Sequence, residues 1–301
     1  MTGFDYTATR MIETDGTFIY ASGYERVFDP KTRDCVMNSK DIALIGAIGT
    51  HRELVLPAYF GKRKIALIRD FKIYETVNGF RPELGKMSTL AYADSRRWWD
   101  PTGRMYLLPD ELRMSATARC DSITIPEVYL QEGAFRDLRV RRVTFESSKK
   151  QLPAALFENC GELREVVFRE GAAQIPCACF ARCNSLKTVE LPKSLKAIKS
   201  EAFKESGLSE LIIPDGVKRI AFRAFSGCRE LTAVVIPSSI EKIASNAFEC
   251  CSSLTIVAPL GSYGQSYAHK HGITFIPYEA VIAEVMKSRI EKQKRVITSD
   301  P

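Results

Sequence analysis

Leu186-Lys-Thr-Val189-Glu-Leu191-Pro192-Lys-Ser-Leu195-Lys-Ala-Ile198-Lys-Ser-Glu-Ala202-Phe203 is followed by Leu208-Ser-Glu-Leu211-Ile-Ile213-Pro214-Asp-Gly-Val217-Lys-Arg-Ile220-Ala-Phe-Arg-Ala224-Phe225. A third copy, Leu231-Thr-Ala-Val234-Val-Ile236-Pro237-Ser-Ser-Ile240-Glu-Lys-Ile243-Ala-Ser-Asn-Ala247-Phe248, keeps the same slots. The common pattern is L-x-x-V-x-I-P-x-x-I-x-x-I-x-x-x-A-F, often with a cysteine three residues further on. Outward from these copies, phenylalanine recurs at Phe135, Phe157, Phe180, Phe203, Phe225 and Phe248, with gaps of 22, 23, 23, 22 and 23 residues. A fixed period of this size specifies a solenoid, in which no single repeat buries its apolar residues alone and stacked rungs bury them together.

Each slot has a physical reading. L-x-x-V-x-I alternates and reads as a short strand with its apolar side inward. Proline ends the strand, because it has no N–H to continue a ladder. The I-x-x-I-x-x-x-A-F stretch turns the chain back over the core, with alanine allowing close packing and phenylalanine filling the interior. The gaps are consistent with this. Cys160, Cys183 and Cys228 precede a leucine six residues after the phenylalanine, whereas Ser206-Gly207-Leu208 lacks the cysteine and one residue, which accounts for the 22-residue gap to Phe225. Phe135 and Val140 show the same shortened offset.

These motifs resemble the BspA-type leucine-rich repeat family, closely over about 126–260 and more loosely over 40–125. Leu54-Val-Leu-Pro57 and Gly61-Lys-Arg-Lys-Ile65-Ala-Leu-Ile68 look like its opening repeat. Gly261-Ser-Tyr-Gly-Gln-Ser-Tyr-Ala-His-Lys-His-Gly272-Ile-Thr-Phe275 looks like its closing element, a short helix stopped by Gly272 and then a last strand. The resemblance implies an α/β repeat fold, a right-handed leucine-rich-repeat solenoid with one short parallel strand per repeat. It implies no catalytic residues, and it points to proteins mostly on bacterial surfaces.

The expected organisation is an N-terminal β cap over 1–39, the solenoid over 40–277, and a C-terminal helix and tail over 278–301. In the cap, Thr17-Phe-Ile-Tyr20 and Arg26-Val-Phe28 read as a hairpin around Gly23. Within the solenoid, 71–107 reads as an irregular insertion and the repeat resumes in degenerate form from Leu107-Leu-Pro109. The clear repeats cover 126–260, and 261–277 is the terminal cap. In 278–297, early acids, late bases and the spacing of Ile282, Met286 and Ile290 predict a helix. This stripe packs on the last rungs or meets a partner.

The chain has 301 residues, 45% of them apolar and 26% charged, with a net charge of +7. That charge is mild for the length and diffuse, so nucleic acid is not an expected partner. No run approaches the ~18 apolar residues of a membrane helix. The first residues lack a signal-peptide layout, so the sequence as it stands reads as cytoplasmic. A protein trimmed of its leader would look the same and would be exported.

Little in the sequence carries chemistry. It has no G-x-S-x-G, phosphate loop, G-x-G-x-x-G or H-E-x-x-H. His51, His269 and His271 read as surface residues. The nine cysteines read mainly as a column of buried thiols, at Cys160, Cys183, Cys228 and Cys251. Cys177-Ala-Cys179-Phe-Ala-Arg-Cys183 lacks the spacing of a zinc knuckle. Cys177 and Cys250 lie off the column and are expected to be exposed. No metal, cofactor or catalytic residue is assigned, and the chain is read as a non-enzyme.

The strand face is the candidate site. Two and four residues after each leucine, side chains point away from the core. One column reads Arg142, Glu165, Thr188, Glu210 and Ala233, and the other Thr144, Val167, Glu190, Ile212 and Val235. Val167, Ile212 and Val235 are then outward apolar residues available to a partner. Arg142, Glu165, Glu190 and Glu210 flank them. Arg136, Arg139, Arg141 and Arg142 form a basic cluster that meets either solvent or an acidic partner. The expected function is a non-catalytic protein-interaction scaffold. One alternative is an exported adhesion or host-interaction module. Another is an enzyme or carbohydrate site in the 71–107 insertion, where Trp98 and Trp99 stack a sugar or base. Oligomeric state is left open.

Overall fold

The structure is a computed structural model and describes residues 11–14, 18–22, 42–48, 51–76, 85–87, 91–92, 98–99, 105–106, 112–113, 119–146, 152–169 and 171–281. In chain order, the first part contains β1 (Met11–Thr14), β2 (Phe18–Ser22), β3 (Ile42–Ile48), β4 (His51–Val55), β5 (Tyr59–Phe60) and β6 (Arg63–Thr76). Short strands follow: β7 (Gly85–Met87), β8 (Ala91–Tyr92), β9 (Trp98–Trp99), β10 (Met105–Tyr106) and β11 (Leu112–Arg113). The repeats supply β12 (Cys120–Ile125), β13 (Tyr129–Leu130), β14 (Val140–Phe145), β15 (Glu165–Phe168), β16 (Gln174–Ile175), β17 (Ala197–Ile198) and β18 (Glu210–Ile212). The remainder are β19 (Arg219–Ile220), β20 (Ala233–Val235), β21 (Lys242–Ile243), β22 (Thr255–Ala258), α1 (Tyr263–Lys270) and β23 (Thr274–Pro277).

The repeats build a parallel-strand solenoid of about eight turns. On one face, β4, β12, β14 and β15 pair in parallel, and further along so do β18, β20, β22 and β23. The two-residue strands β16, β17, β19 and β21 form a second parallel ladder. Between these faces runs the phenylalanine column. Phe135, Phe157, Phe180, Phe203 and Phe225 are fully buried, and successive rings stack at 5.0, 6.0, 5.4 and 5.4 Å, then 5.1 Å on to Phe248. The column is longer than the 22–23 period shows. Phe71 begins it, buried and 5.6 Å from Phe135, and Tyr267 of α1 closes it edge-on to Phe248.

The turn around each phenylalanine has a regular backbone solution. The residues two before it (Ala155, Ala178, Glu201, Arg223) and two after it (Asp137, Asn159, Arg182, Glu205, Cys250) all have φ between 52 and 62°. Alternating left- and right-handed residues send every second N–H to the next rung. Ala155, Phe157 and Asn159 donate to the carbonyls of Cys177, Cys179 and Ala181, each at 2.8 Å. The intervening N–H groups close local turns, as from Glu158 to Ala155 and from Cys160 to Phe157. Left-handed conformations of non-glycine residues cost roughly 1–2 kcal/mol each, and these buried, paired donors offset that cost.

The cysteine column is part of the same economy. Cys160, Cys183, Cys228 and Cys251 direct their thiols at the carbonyls of Phe135, Phe157, Phe203 and Phe225, at 3.0–3.2 Å. Each thiol meets a carbonyl of the rung before it. In the shortened repeat, Gly207 approaches the backbone of Asn184 so closely that a Cβ would lie 2.0 Å from the Asn184 carbonyl oxygen. Glycine permits that approach at this turn, whereas the equally short turn after Phe135 carries Arg139 in the same slot.

The N-terminal hairpin pairs β2 with β1, and Arg26-Val-Phe28 lies outside the described residues. β2 then continues antiparallel onto β3, and β3 runs parallel to the long β6. Tyr20 of β2 is buried and stacks on Phe60 at 4.1 Å, so this hairpin does cover apolar surface near the first rung. Ile65–Ile68 lie in the fourteen-residue β6, where Leu67 and Ile68 pair in parallel with Tyr129 and Leu130 of β13, and β6 runs on to carry Phe71 into the core. Leu107-Leu-Pro109, read as the point where the repeat resumes, lies outside the described residues. β4 pairs directly with β12, with Glu53 opposite Ser122, and β11 is instead an antiparallel neighbour of β6. At the other end, Ser262 caps α1, Gly272 stops it at φ 64°, and β23 pairs with β22, as expected of the closing element. Residues 278–281 begin a helix, and the rest of 278–301 lies outside the described residues. No helix among the described residues is long and apolar enough to cross a membrane.

Candidate functional site

Alternation along each strand decides which side chains leave the core. In β18 and β20 the central Leu211 and Val234 are buried, so Glu210, Ile212, Ala233 and Val235 face outward. The register places Ile212 beside Val235, Val235 beside Val257, and Val257 beside Ile276. The result is an apolar row across four paired strands, spanning about 14 Å at the ~4.8 Å strand spacing. Ile212 is 70% exposed and Ile276 39%, while Val257 between them is 8% exposed. Glu210 is exposed one column away and opposite Ala233.

Val257 and Ile276 are site candidates that repeat counting misses. Leu254 stands in the usual leucine slot, yet Thr255 pairs with Ala233, so this last strand starts one residue early. Counting from Leu254 would put Ile256 and Ala258 outside, whereas both are buried. On the preceding sheet the equivalent column is Val55, Thr124, Thr144 and Val167. Val167 is half-buried there.

Between the two sheets the strand ladder is interrupted. The segment 187–191 has the expected inward Val189 and Leu191 and outward Thr188 and Glu190, but it is not a paired strand. This corrects the reading of Leu186–Leu191 as a regular rung. At other rungs two hydrogen bonds recur. One joins Leu56 to Thr124, Ile213 to Val235, and Ile236 to Val257, at 2.8–3.0 Å. The other joins Arg164 to Arg141, Ser209 to Lys187, and Thr232 to Ser209, at 2.8–3.0 Å. Their counterparts here, Phe168 N–H to Glu190 C=O and Lys187 N–H to Arg164 C=O, are missing among the described residues. Inside the solenoid, the Phe157–Phe180 spacing at this level is 6.0 Å, the widest between stacked phenylalanines.

A groove of about 580 Å³ occupies the interruption. One wall carries Glu165, Val167 and Arg169, the other Thr188, Glu190 and Lys193. Gly171 and Ser194 close one end, and a Cβ on Gly171 would overlap the Ser194 hydroxyl. The sequence signal is Ala172, a small residue where later rungs carry Leu195, Val217 and Ile240. Ala172 fills less of the core than its counterparts.

The basic cluster is spent on the solenoid itself. Arg136 pairs with Glu158, Arg139 with Glu162, Arg141 with Asp121, and Arg142 with Glu165, at 2.5–2.9 Å. Each partner sits on an adjacent rung. Two candidate site residues, Arg142 and Glu165, thus bind each other, whereas Glu190 has no ion pair among the described residues.

Elsewhere the structure carries little reactive chemistry. Burial pushes the thiol of Cys120 up to about 11 and that of Cys251 up to about 12, and raises Cys179, Cys183 and Cys228 as well. These are protonated, inert thiols at neutral pH. Cys177 and Cys250 are exposed, as their positions off the column imply. His269 and His271 are exposed, and His271 packs on Tyr267. No group of histidines, cysteines and carboxylates suited to a metal occurs among the described residues. Trp98 and Trp99 form β9 of a small antiparallel sheet with β8 and β10. Their side chains lie outside what is described.

Comparison with known proteins follows from this geometry. A family model for the BspA type Leucine rich repeat region matches residues 114–228 and 196–262, in six copies. Similar solved structures include a leucine-rich repeat protein from Bacteroides ovatus, with 18% identity, 78% of this chain and 45% of that one covered, and a TM-score of 0.40. A leucine rich cell surface protein from Faecalibacterium prausnitzii has 18% identity, coverage of 82% and 76%, and a TM-score of 0.37. A T. pallidum leucine rich repeat protein has 17% identity, coverage of 79% and 70%, and a TM-score of 0.33. This chain spans less than half the length of the Bacteroides protein. No curated protein matches it.

Proposed function

With residues 114–262 this chain belongs to the BspA-type leucine-rich repeats, and on that premise we propose that it is a non-catalytic scaffold that binds a protein through its strand face. The observation that carries the reading is the outward row Ile212–Val235–Val257–Ile276, apolar, in register and partly open to solvent. Solvated strand faces favour polar residues, and a contiguous apolar row rimmed by carboxylates is the composition of a contact surface. Glu210 and Glu190 supply the rim, which favours a partner with basic residues around an apolar centre.

The core argues in the same direction. Its interior is filled by stacked phenylalanines and leucines, the arginines at 136–142 are engaged between rungs, and its column thiols hold backbone carbonyls. Those groups serve the stability of a rigid display surface. Affinity capture with the wild-type chain beside Ile212→Glu/Val235→Glu tests the reading, with circular dichroism as the folding control. A partner captured by the wild type and lost from the variant supports it. A partner retained by the variant removes the row from the binding site.

A further inference from the structure

We infer that the interruption between β15 and 187–191 is a strand-addition site for an extended peptide segment of a partner protein. This rests on the reading of the strand face as a protein-binding surface and names one place and one mode of contact on it. An open sheet edge is a template for another chain, because its N–H and C=O groups have fixed spacing and direction. Here Phe168 N–H and Glu190 C=O lack the ladder bond their equivalents make at three other rungs. A peptide strand in the groove accepts from Phe168 and donates to Glu190.

Volume and charge fit that occupant. The groove, at about 580 Å³, lies within the ~300–1,000 Å³ of ligand sites. Along the strand direction its lining runs from Glu165 and Thr188, through Val167 and Glu190, to Arg169 and Lys193. Glu165 is held by Arg142, which leaves Glu190 as the acceptor for a basic side chain. Arg169 and Lys193 suit a carboxylate. The charges therefore fix the direction of the peptide, with a basic residue over Glu190 and an acid or C-terminal carboxylate toward Arg169 and Lys193. A β-branched residue between them packs on Val167.

The probe is a displayed library of random decapeptides, panned against the whole chain and followed by backbone hydrogen exchange with an enriched synthetic peptide. The expected peptides carry a basic and an acidic residue flanking an apolar one, and they slow exchange at the Phe168 amide. Glu190→Lys weakens binding by about tenfold or more, as loss of a charge-assisted contact predicts. Glu190→Pro, which also removes a groove-facing N–H, does the same, and Glu190→Lys stands alone if the proline variant fails to fold. Leu260→Ser, at an exposed residue outside the groove lining, leaves this binding intact. Enriched peptides that leave Phe168 unprotected, or that bind Glu190→Lys as well as wild type, overturn the site. Peptides lost only in Ile212→Glu/Val235→Glu overturn the groove while sparing the wider strand-face reading.

Discussion

Gly207→Ala and Gly161→Ala are the same chemical change with opposite expected outcomes. At Gly207 the new Cβ would sit 2.0 Å from the Asn184 carbonyl oxygen and 2.7 Å from its carbonyl carbon. Both contacts are with backbone, which cannot rotate away, so the two rungs must separate. Separation stretches the hydrogen bond from Gly207 N–H to the Cys183 carbonyl, now 3.1 Å. Overpacking costs about 1–3 kcal/mol, and a lost backbone hydrogen bond adds about 1 kcal/mol, so the expected destabilisation is about 2–4 kcal/mol. At Gly161 a Cβ meets nothing within 4 Å, and alanine there restricts the unfolded chain, stabilising by ~0.4–1 kcal/mol. Urea denaturation followed by circular dichroism measures both variants. A Gly207→Ala chain within about 0.5 kcal/mol of wild type would refute the close approach at this turn.

Phe203→Ala empties a site flanked by Phe180 and Phe225 at 5.4 Å on both sides, and urea denaturation should show a loss of ~3–5 kcal/mol. Cys183→Ala removes the thiol donor of the Phe157 carbonyl, which still accepts from Cys160 N–H, for an expected loss of ~0.5–1.5 kcal/mol by the same assay. Alkylation at pH 8 with mass spectrometry should label the exposed Cys177 and Cys250 while Cys179 and Cys183, buried and raised in pKa, stay unmodified. Stability should fall as pH rises past the ordinary thiol value of 9.0, because the unfolded chain then releases protons that the folded thiols keep, up to about 12 for Cys251. Denaturation midpoints that hold constant from pH 8 to 10 would contradict this.

The period of the phenylalanines gave the column its register, and the leucine and valine slots gave each strand its inner face. What the period hid lies where the spacing breaks. Phe71 belongs to the column, but 64 residues separate it from Phe135, and no repeat count spans such a gap. The thiols were legible as buried but not as hydrogen-bond donors, since their acceptors are carbonyls of another rung. The arginine cluster at 136–142 looked available because its partners, at Asp121 and Glu158–Glu165, are distant in sequence and adjacent only after stacking. Of the candidate site, Ile212 and Val235 were readable from alternation alone. Val257 was not, because its strand starts a residue early, and Ile276 became its neighbour only through the pairing of the closing strand. The groove was invisible for a different reason: Leu186–Leu191 has a regular strand pattern, and pattern reports which side chains face inward, not whether the ladder closes.

Side-chain footprinting by hydroxyl radicals, with and without the captured partner, tests the strand-face claim most directly. The account predicts reduced labelling at Ile212, Val235 and Ile276, with no change at the exposed Tyr129, Phe222 and Leu260 elsewhere on the surface. Protection at Tyr129, Phe222 or Leu260 with Ile212 still labelled would contradict it.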